Sequence, residues 1–322
     1  TVRRAKPRFA GHDMPRIPLL GEQDEANPAV MREHVELAMA HGVNVFIVDW
    51  YWYENAPCFE RQLNEGLIPA LAGTGCKFYL MWANHDVNTL WDMHKETGDP
   101  VLWRGGVSRD ILVPMFERIV KKYFSLESYY RIKGRPLFSI YEYHTLAAGL
   151  GGVAAAAEAL AELRRVCAEG GEPGLELQAI ARRIAGYSDA DIKGLGFDNA
   201  TSYQFCHDAG GSGDYVVWAD KAIKSWERHE ELFGTYYPQV SVGWDNTHRN
   251  PSAGVEQVVQ NATPDAFEAC LWRARRWLEA RPQQRPLVTI NSWNEWTEVS
   301  YLLPDMRWGY GYLQAVRNVF GK

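Results

Sequence analysis

Short apolar runs alternate with amphipathic stretches along the whole chain. The runs are Val43–Asp49, Lys77–Trp82, Pro136–Tyr141, Leu175–Ala181, Phe197–Tyr203, Gln239–Trp244 and Leu287–Asn291. Most are apolar at nearly every position, the pattern of parallel strands covered on both faces. Between them, spacing near 3.6 residues predicts helices over Pro28–His41, Glu60–Ala72, Asp110–Phe124, Val153–Ala168, Tyr215–Phe233, Pro264–Glu279 and Trp308–Phe320. Asn27-Pro28 and Thr263-Pro264 each put a capping side chain before a proline at the first helical position. Strand–helix alternation over a whole chain gives a parallel sheet, either open and doubly wound or closed into a barrel. The Pro28–His41 helix has no strand of its own. An α/β fold of the eight-stranded (β/α)8 TIM-barrel type accounts for that leftover helix, if its first strand lies upstream of Thr1 or unrecognised within residues 1–25. One barrel domain is therefore expected over residues 1–322.

Composition narrows the function classes. Hydrophobic residues make up 46% of the 322 residues and charged residues 23%, which excludes disordered and collagen-like chains. No apolar run approaches the roughly 18 residues of a membrane span. A net charge of −6 has the wrong sign for a protein that grips nucleic acid through its phosphates. Cys58, Cys76, Cys167, Cys206 and Cys270 are scattered and read as free thiols, not as a disulfide framework or a zinc site. Gly149-Leu150-Gly151-Gly152 superficially resembles a dinucleotide loop, but it sits away from a strand end and reads as a connection before a helix. No Gly-x-Ser-x-Gly elbow is present. Asp49, His85, Asp86, His207, Asp208 and Asp245 match no compact metal-ligand spacing, so neither a metal nor a cofactor is expected. Of the sequons at Asn199 and Asn261, the first falls inside a predicted strand, which argues against glycosylation there.

The unusual quantity is aromatic: 13 Trp, 16 Tyr and 12 Phe. Ligands of parallel α/β folds bind at the carboxyl ends of strands. Those ends read Asp49–Glu54, Trp82–Asp86, Tyr141–His144, Arg182-Arg183, Tyr203–Asp208, Trp244–Arg249 and Ser292–Glu298. Aromatic rings and hydrogen-bonding groups dominate them. A sugar offers apolar C–H faces to rings and a rim of hydroxyls to carboxylates, amides and guanidinium groups. Trp50, Tyr51, Trp52, Trp82, Trp244 and Trp296 are the candidate stacking surfaces. Asn84, His85, Glu142, Tyr203, Asp245, Asn246, Arg249 and Asn294 are the candidate hydroxyl partners. The competing reading of any single aromatic is core packing. Arg182 and Arg183 could bind an anionic sugar, or serve as one structural ion-pair partner and one solvated charge.

Asn294-Glu295-Trp296-Thr297-Glu298 carries the sharpest signal. Glycoside hydrolysis normally uses two carboxyl groups, one to donate a proton and one to assist attack. Two Glu three residues apart share one side of a helical turn, with Cβ atoms about 5–6 Å apart. Retaining enzymes hold their carboxyls at about 5–5.5 Å. Like charges that close resist joint ionisation, so one pKa rises. The competing reading is a helix start, with Asn294 as its cap.

The stretch Asn291-Ser292-Trp293-Asn294-Glu295-Trp296-Thr297-Glu298, with Leu303–Asp305 and Gly309–Leu313, resembles the closing segment of WbsX-like proteins, relatives of the glycoside hydrolase family 99 endo-α-mannosidases. Ala5–His12, Trp82–Asn84, Lys133–Phe138 and Val242–Thr247 match in the same order. The resemblance implies a (β/α)8 barrel whose first strand lies upstream of Ala5–His12. It also implies a retaining hydrolase of α-linked, mannose-like glycans or polysaccharides. Glu295 would then be a base on the substrate's own 2-hydroxyl, giving a 1,2-anhydro sugar. Glu298 would be the general acid, then the base for water. His85, where the family has an acid, and Val299-Ser300, in place of a Gly-Thr-like pair, depart from the pattern and bear on substrate choice. A glycosyltransferase of polysaccharide synthesis and a non-catalytic carbohydrate-binding barrel are the alternatives. The expected partner is an oligosaccharide or polysaccharide, with no nucleic acid and no membrane span. No apolar signal segment is visible, and the expected compartment is the bacterial cytoplasm or periplasm.

Overall fold

The computed structural model describes residues 2–88, 100–182, 186–250 and 252–321. Strands that are apolar on both faces need two covering layers. Val45–Tyr53, Lys77–Trp82, Arg135–Ile140, Glu176–Ile180, Asn199–Thr201 and Tyr236–Tyr237 pair in parallel, each with the next. Pro238, which has no amide hydrogen, interrupts the sixth, and the stretch resumes as Gln239–Ser241 paired with Thr289–Asn291. The Thr289 amide donates to the Pro238 carbonyl at 3.0 Å, carrying the ladder across the break. These strands are the seven expected runs. The helices pack outside them, and the inward side chains fill the interior, as in a TIM barrel.

One seam of the barrel is unpaired among the described residues. Among the described residues, no strand pairs with the outer edge of Thr289–Asn291 or with Val45–Trp50 on the side away from Lys77–Trp82. Both segments line one cavity of about 560 Å³, with Tyr79, Ile180 and Thr201 from the interior and Met31 from the Pro28–Ala40 helix. That helix lies across the seam, where His34 Nδ1 accepts a hydrogen bond from Trp293 Nε1 at 3.2 Å.

Local chemistry explains the helix ends. Asn27 and Thr263 accept hydrogen bonds from the amides of Ala29 and Ala266, as their positions before proline predict. Gly151 and Gly152, both at positive φ, join a helix at Tyr143–Leu150 to the Val153–Glu169 helix, so the glycine-rich stretch is a connection. The helix expected over Tyr215–Phe233 is two, Tyr215–Ile223 and Trp226–Phe233. Outside the sheet, Glu60 is partly buried but held at about 2: burial alone would raise its pKa, and the hydrogen bonds of Arg118, Trp50 and Tyr123 outweigh it. Asn199 is fully buried and bonded to Gln178 and Glu176, which removes that sequon from the surface. The five cysteines are free. Among the described residues, no single helix is long and apolar enough to cross a membrane.

Gly66 marks the closest approach beneath the Pro28–Ala40 helix. A Cβ there would lie 1.9 Å from the Glu25 carbonyl oxygen. Gly66→Ala is expected to cost about 1–3 kcal/mol, as overpacking of a rigid backbone contact does. A urea titration should show a lower midpoint with an unchanged slope.

Candidate active site

The mouth of the barrel is built from strand ends and the loops after them. After Thr289–Asn291 the chain forms a tight hairpin in which Asn294–Glu295 pairs with Ser300–Tyr301 around the turn Trp296–Glu298. Glu295 caps this turn: its Oε1 accepts from the Thr297 amide at 3.2 Å and from Thr297 Oγ1 at 2.6 Å. Asn294 is exposed and donates to Glu25 at 2.7 Å. The cap is thus Glu295 and not Asn294, because the turn begins one residue later than a helix start would.

One guanidinium organises the pair. Arg249 Nη1 donates to Glu298 Oε1, Nη2 lies 3.2 Å from Glu295 Oε1, and Nε and Nη2 reach Thr297 Oγ1 at 3.2 and 3.1 Å. Both carboxylates are therefore on one side of the turn, within reach of a single cation. Their settings differ. Glu295 is partly exposed and lines the cavity. Glu298 is 6% exposed and sits behind it, with Oε2 lacking a hydrogen-bond partner among the described residues. Burial raises the Glu298 carboxyl to about 7; Arg249 opposes this, while Glu295 and Asp49 add to it.

A third carboxylate faces the pair. Asp49 Oδ2 accepts a hydrogen bond from Tyr203 Oη at 3.0 Å, and both residues line the cavity with Glu295 and Tyr51. Burial lifts Asp49 to about 6 against the Tyr203 bond, with Glu295 adding to the rise. Tyr141 packs edge-on to Tyr203 at 5.0 Å and lies 6.2 Å from His207, under the Arg182 guanidinium at 5.1 Å. His85 meets Tyr51 and Tyr141 edge-on at 6.1 and 5.9 Å. Burial lowers His207 to about 4, Arg182 adding to it, so this ring is neutral at pH 7.

The candidate residues read from the sequence therefore separate. Glu295, Tyr51 and Tyr203 line the cavity, Arg249 joins Glu298 to Glu295, and His85 packs against Tyr51. Glu142 lies at its side, ion-paired to Arg182. Trp50, Trp52 and Trp82 are buried in the core, with Trp50 Nε1 committed to Glu60. Asn84 is a buried strut whose amide bonds the backbone of Glu142 in both directions, at 2.8 and 2.7 Å. Asp245 is buried against His12 at 2.8 Å, and with Trp244 it lines a separate small pocket. Asn246 is bonded to Gln257, and Trp296 stacks on Tyr301 at 3.8 Å. Arg183 lies outside the described residues. Tyr141 was not among the candidates, although it stands at a strand end; Asp49 was weighed only as a metal ligand, and Arg182 only as an anion or ion-pair partner. Among the described residues, no three His, Cys, Asp or Glu gather to hold a metal.

Comparison with known proteins places the chain in a family. Residues 1–316 match the family described as glycosyltransferase WbsX. The chain belongs to the WbsX family. The protein WxcX of Xanthomonas campestris pv. campestris, described as uncharacterized, is 30% identical over 332 residues, covering 98% of this chain and 45% of WxcX. The WxcX of a second strain gives the same figures. This WbsX-family chain thus spans a little under half the length of those relatives. Among solved structures, the family 99 endo-α-mannosidase of Bacteroides thetaiotaomicron superposes with a TM-score of 0.66 at 16% identity, covering 95% of this chain and 86% of that one. A glycoside hydrolase-like protein superposes at 0.65 and 15% identity, covering 95% and 89%. These likenesses show the barrel fold expected from the sequence.

The raised Glu298 carboxyl has a thermodynamic signature. A folded-state pKa of about 7 lies above the ordinary 4.5, so the folded state holds a proton that the unfolded state has lost. Stability from this group falls as pH rises from about 4.5 to about 7 and is level beyond. Relative to the wild type, Glu298→Gln should gain thermal stability between pH 5 and about pH 7 and level off by pH 8. A difference in Tm that does not change with pH would contradict the raised value.

Proposed function

We propose that this WbsX-family chain is a retaining glycoside hydrolase of α-linked, mannose-like units in a glycan or polysaccharide, with Glu295 and Glu298 as its catalytic carboxyls. The observation that carries the reading is the shared Arg249: it holds two carboxyls side by side while burial keeps one of them able to carry a proton at neutral pH. In the first step the Glu295 carboxylate takes the proton of the sugar's 2-hydroxyl, and O2 attacks C1. The C1–O bond to the leaving group breaks, and Glu298 gives that oxygen its proton. In the second, Glu298 takes a proton from water, the water oxygen attacks C1, and the C1–O2 bond opens as O2 regains the proton from Glu295. Atoms balance, and the anomeric configuration is kept by two inversions. An internal nucleophile already in place gains the advantage of proximity. Arg249 steadies the pair, and Tyr51, His85 and Tyr203 are its neighbours for the sugar ring.

The family's description names a glycosyltransferase, and the aromatic cleft alone would serve a binding barrel. Product release from a panel of α- and β-linked oligosaccharides, with the anomer followed by NMR, separates the three. Hydrolysis with retention supports the proposal; binding without product supports a binding barrel; thermal stabilisation by nucleotide sugars supports a transferase.

Glu298→Gln should lower turnover by at least about 10²-fold on substrates whose leaving group needs a proton, with folding preserved. Glu295→Gln should do the same while sugar binding persists. The wild-type rate should fall as pH rises through about 7, where Glu298 loses the proton it must donate. Full activity in Glu298→Gln would overturn the assignment.

A further inference from the structure

The molecule carries an aromatic surface next to the cleft that the reaction does not use. The Val45–Tyr53 strand runs on into a hairpin with Ala56–Cys58, in register Tyr51 to Cys58 and Tyr53 to Ala56. Phe59 follows directly. It is 68% exposed and holds φ at +55°, a left-handed conformation that bulky side chains rarely adopt. Such an outlier persists only when its surroundings impose it, and its cost points to use. Here the imposed conformation keeps a ring in water. That ring meets Tyr51 edge-on at 5.7 Å, and Tyr51 lines the same cavity as Glu295 and Asp49. Tyr51 lies 6.2 Å from Tyr53, which stacks on Trp103 at 5.8 Å. A continuous row of rings thus leads from the carboxylates to the surface, with Phe59 at its open end.

We propose that Phe59, backed by Tyr51, is a sugar subsite outside the catalytic cleft, so that the natural ligand is an oligosaccharide or polysaccharide chain extending past the cleaved linkage by at least one further ring. The inference rests on the glycan reading above and adds chain length to it. Continuity with the cleft selects the occupant. A glycan threaded between Glu295 and Tyr51 leaves the mouth over this hairpin, and the apolar face of a pyranose covers an exposed ring at low entropy cost. Glu54 and Asn55, at the hairpin tip with φ of +48° and +68°, are exposed polar neighbours for its hydroxyls.

The test compares wild type with Phe59→Ala on α-linked manno-oligosaccharides of two to six units, by calorimetric binding and by KM against kcat. Because Phe59 is largely exposed, Phe59→Ala should melt within a few degrees of wild type, and Val216→Ala, another exposed apolar position, serves as control. Wild-type affinity should rise with chain length. Phe59→Ala should weaken the longer ligands about five- to twentyfold and leave the disaccharide and kcat unchanged, and Val216→Ala should change nothing. Length-dependent binding that survives Phe59→Ala intact overturns the subsite and leaves the cleft reading standing. Loss of the disaccharide and of longer ligands alike overturns it by showing a general disturbance of the cleft. Failure of the wild type to bind any of these sugars overturns both.

Discussion

A guanidinium held between two carboxylates is the contact on which the mouth of this barrel depends. Removed from water, Glu298 would be a costly charge, and beside Glu295 costlier still. Arg249 answers both at once, but only if a loop after the sixth strand and a hairpin after the seventh keep their spacing. The structure secures that spacing through the backbone: the Asp245 amide donates to the Glu298 carbonyl at 2.8 Å. It secures the loop from the other side with the N-terminal segment. Arg8 donates to the Thr247 and Asn250 carbonyls, and His12 meets Asp245 at 2.8 Å. The stretches Ala5–His12 and Val242–Thr247, far apart in the chain, thus meet at the loop that carries Arg249.

The strand-end aromatics show how much of the site the sequence discloses. Residues of a strand alternate between faces. Asp49, Tyr51 and Tyr53 look toward the mouth, where Tyr53 Oη donates to the His85 carbonyl at 2.9 Å. Trp50 and Trp52 look outward into the layer between sheet and helices, where Glu60 takes the Trp50 N–H. Composition treated the four rings, Trp50 to Tyr53, as one aromatic run. Period two divides them, and that division was available from the sequence once Val43–Asp49 was recognised as a strand. The same rule puts Asp49 on the inner face. Tyr203 was a candidate, but its pairing with Asp49 was not readable, because 154 residues separate the two and only the curling of the sheet brings them to 3.0 Å.

The fold itself was legible because parallel strands covered on both sides leave a continuous apolar signature, and because Asn27-Pro28 and Thr263-Pro264 announce helix starts. The Pro28–Ala40 helix was legible too, although the sequence offered no strand to go with it. What escaped were interruptions that change no hydrophobic pattern. Lys224-Ser225 splits one amphipathic stretch in two, and the Tyr143–Leu150 helix hides in a segment read as a strand end and a loop. Glu295-x-x-Glu298 was found by spacing, and its geometry is a single 3-10 turn capped by Glu295 inside a hairpin, not the start of an α-helix. Proximity survives because a tight turn, like a helical one, brings positions three apart together.

Under the proposed chemistry, the family's name and the carboxylate pair are less opposed than they look. A 1,2-anhydro sugar is opened by whichever hydroxyl Glu298 can deprotonate. Water gives hydrolysis; a sugar hydroxyl seated in the same place gives a new glycosidic bond with the same configuration. No different catalytic residue is needed for either outcome, so the distinction rests on how firmly the mouth holds an acceptor against the concentration of water. A row of rings running outward from Tyr51 bears on that balance, since an acceptor anchored at the rim loses less freedom when its terminal hydroxyl reaches C1. The identity of the reaction is then a property of the surface around the pair as much as of the pair itself.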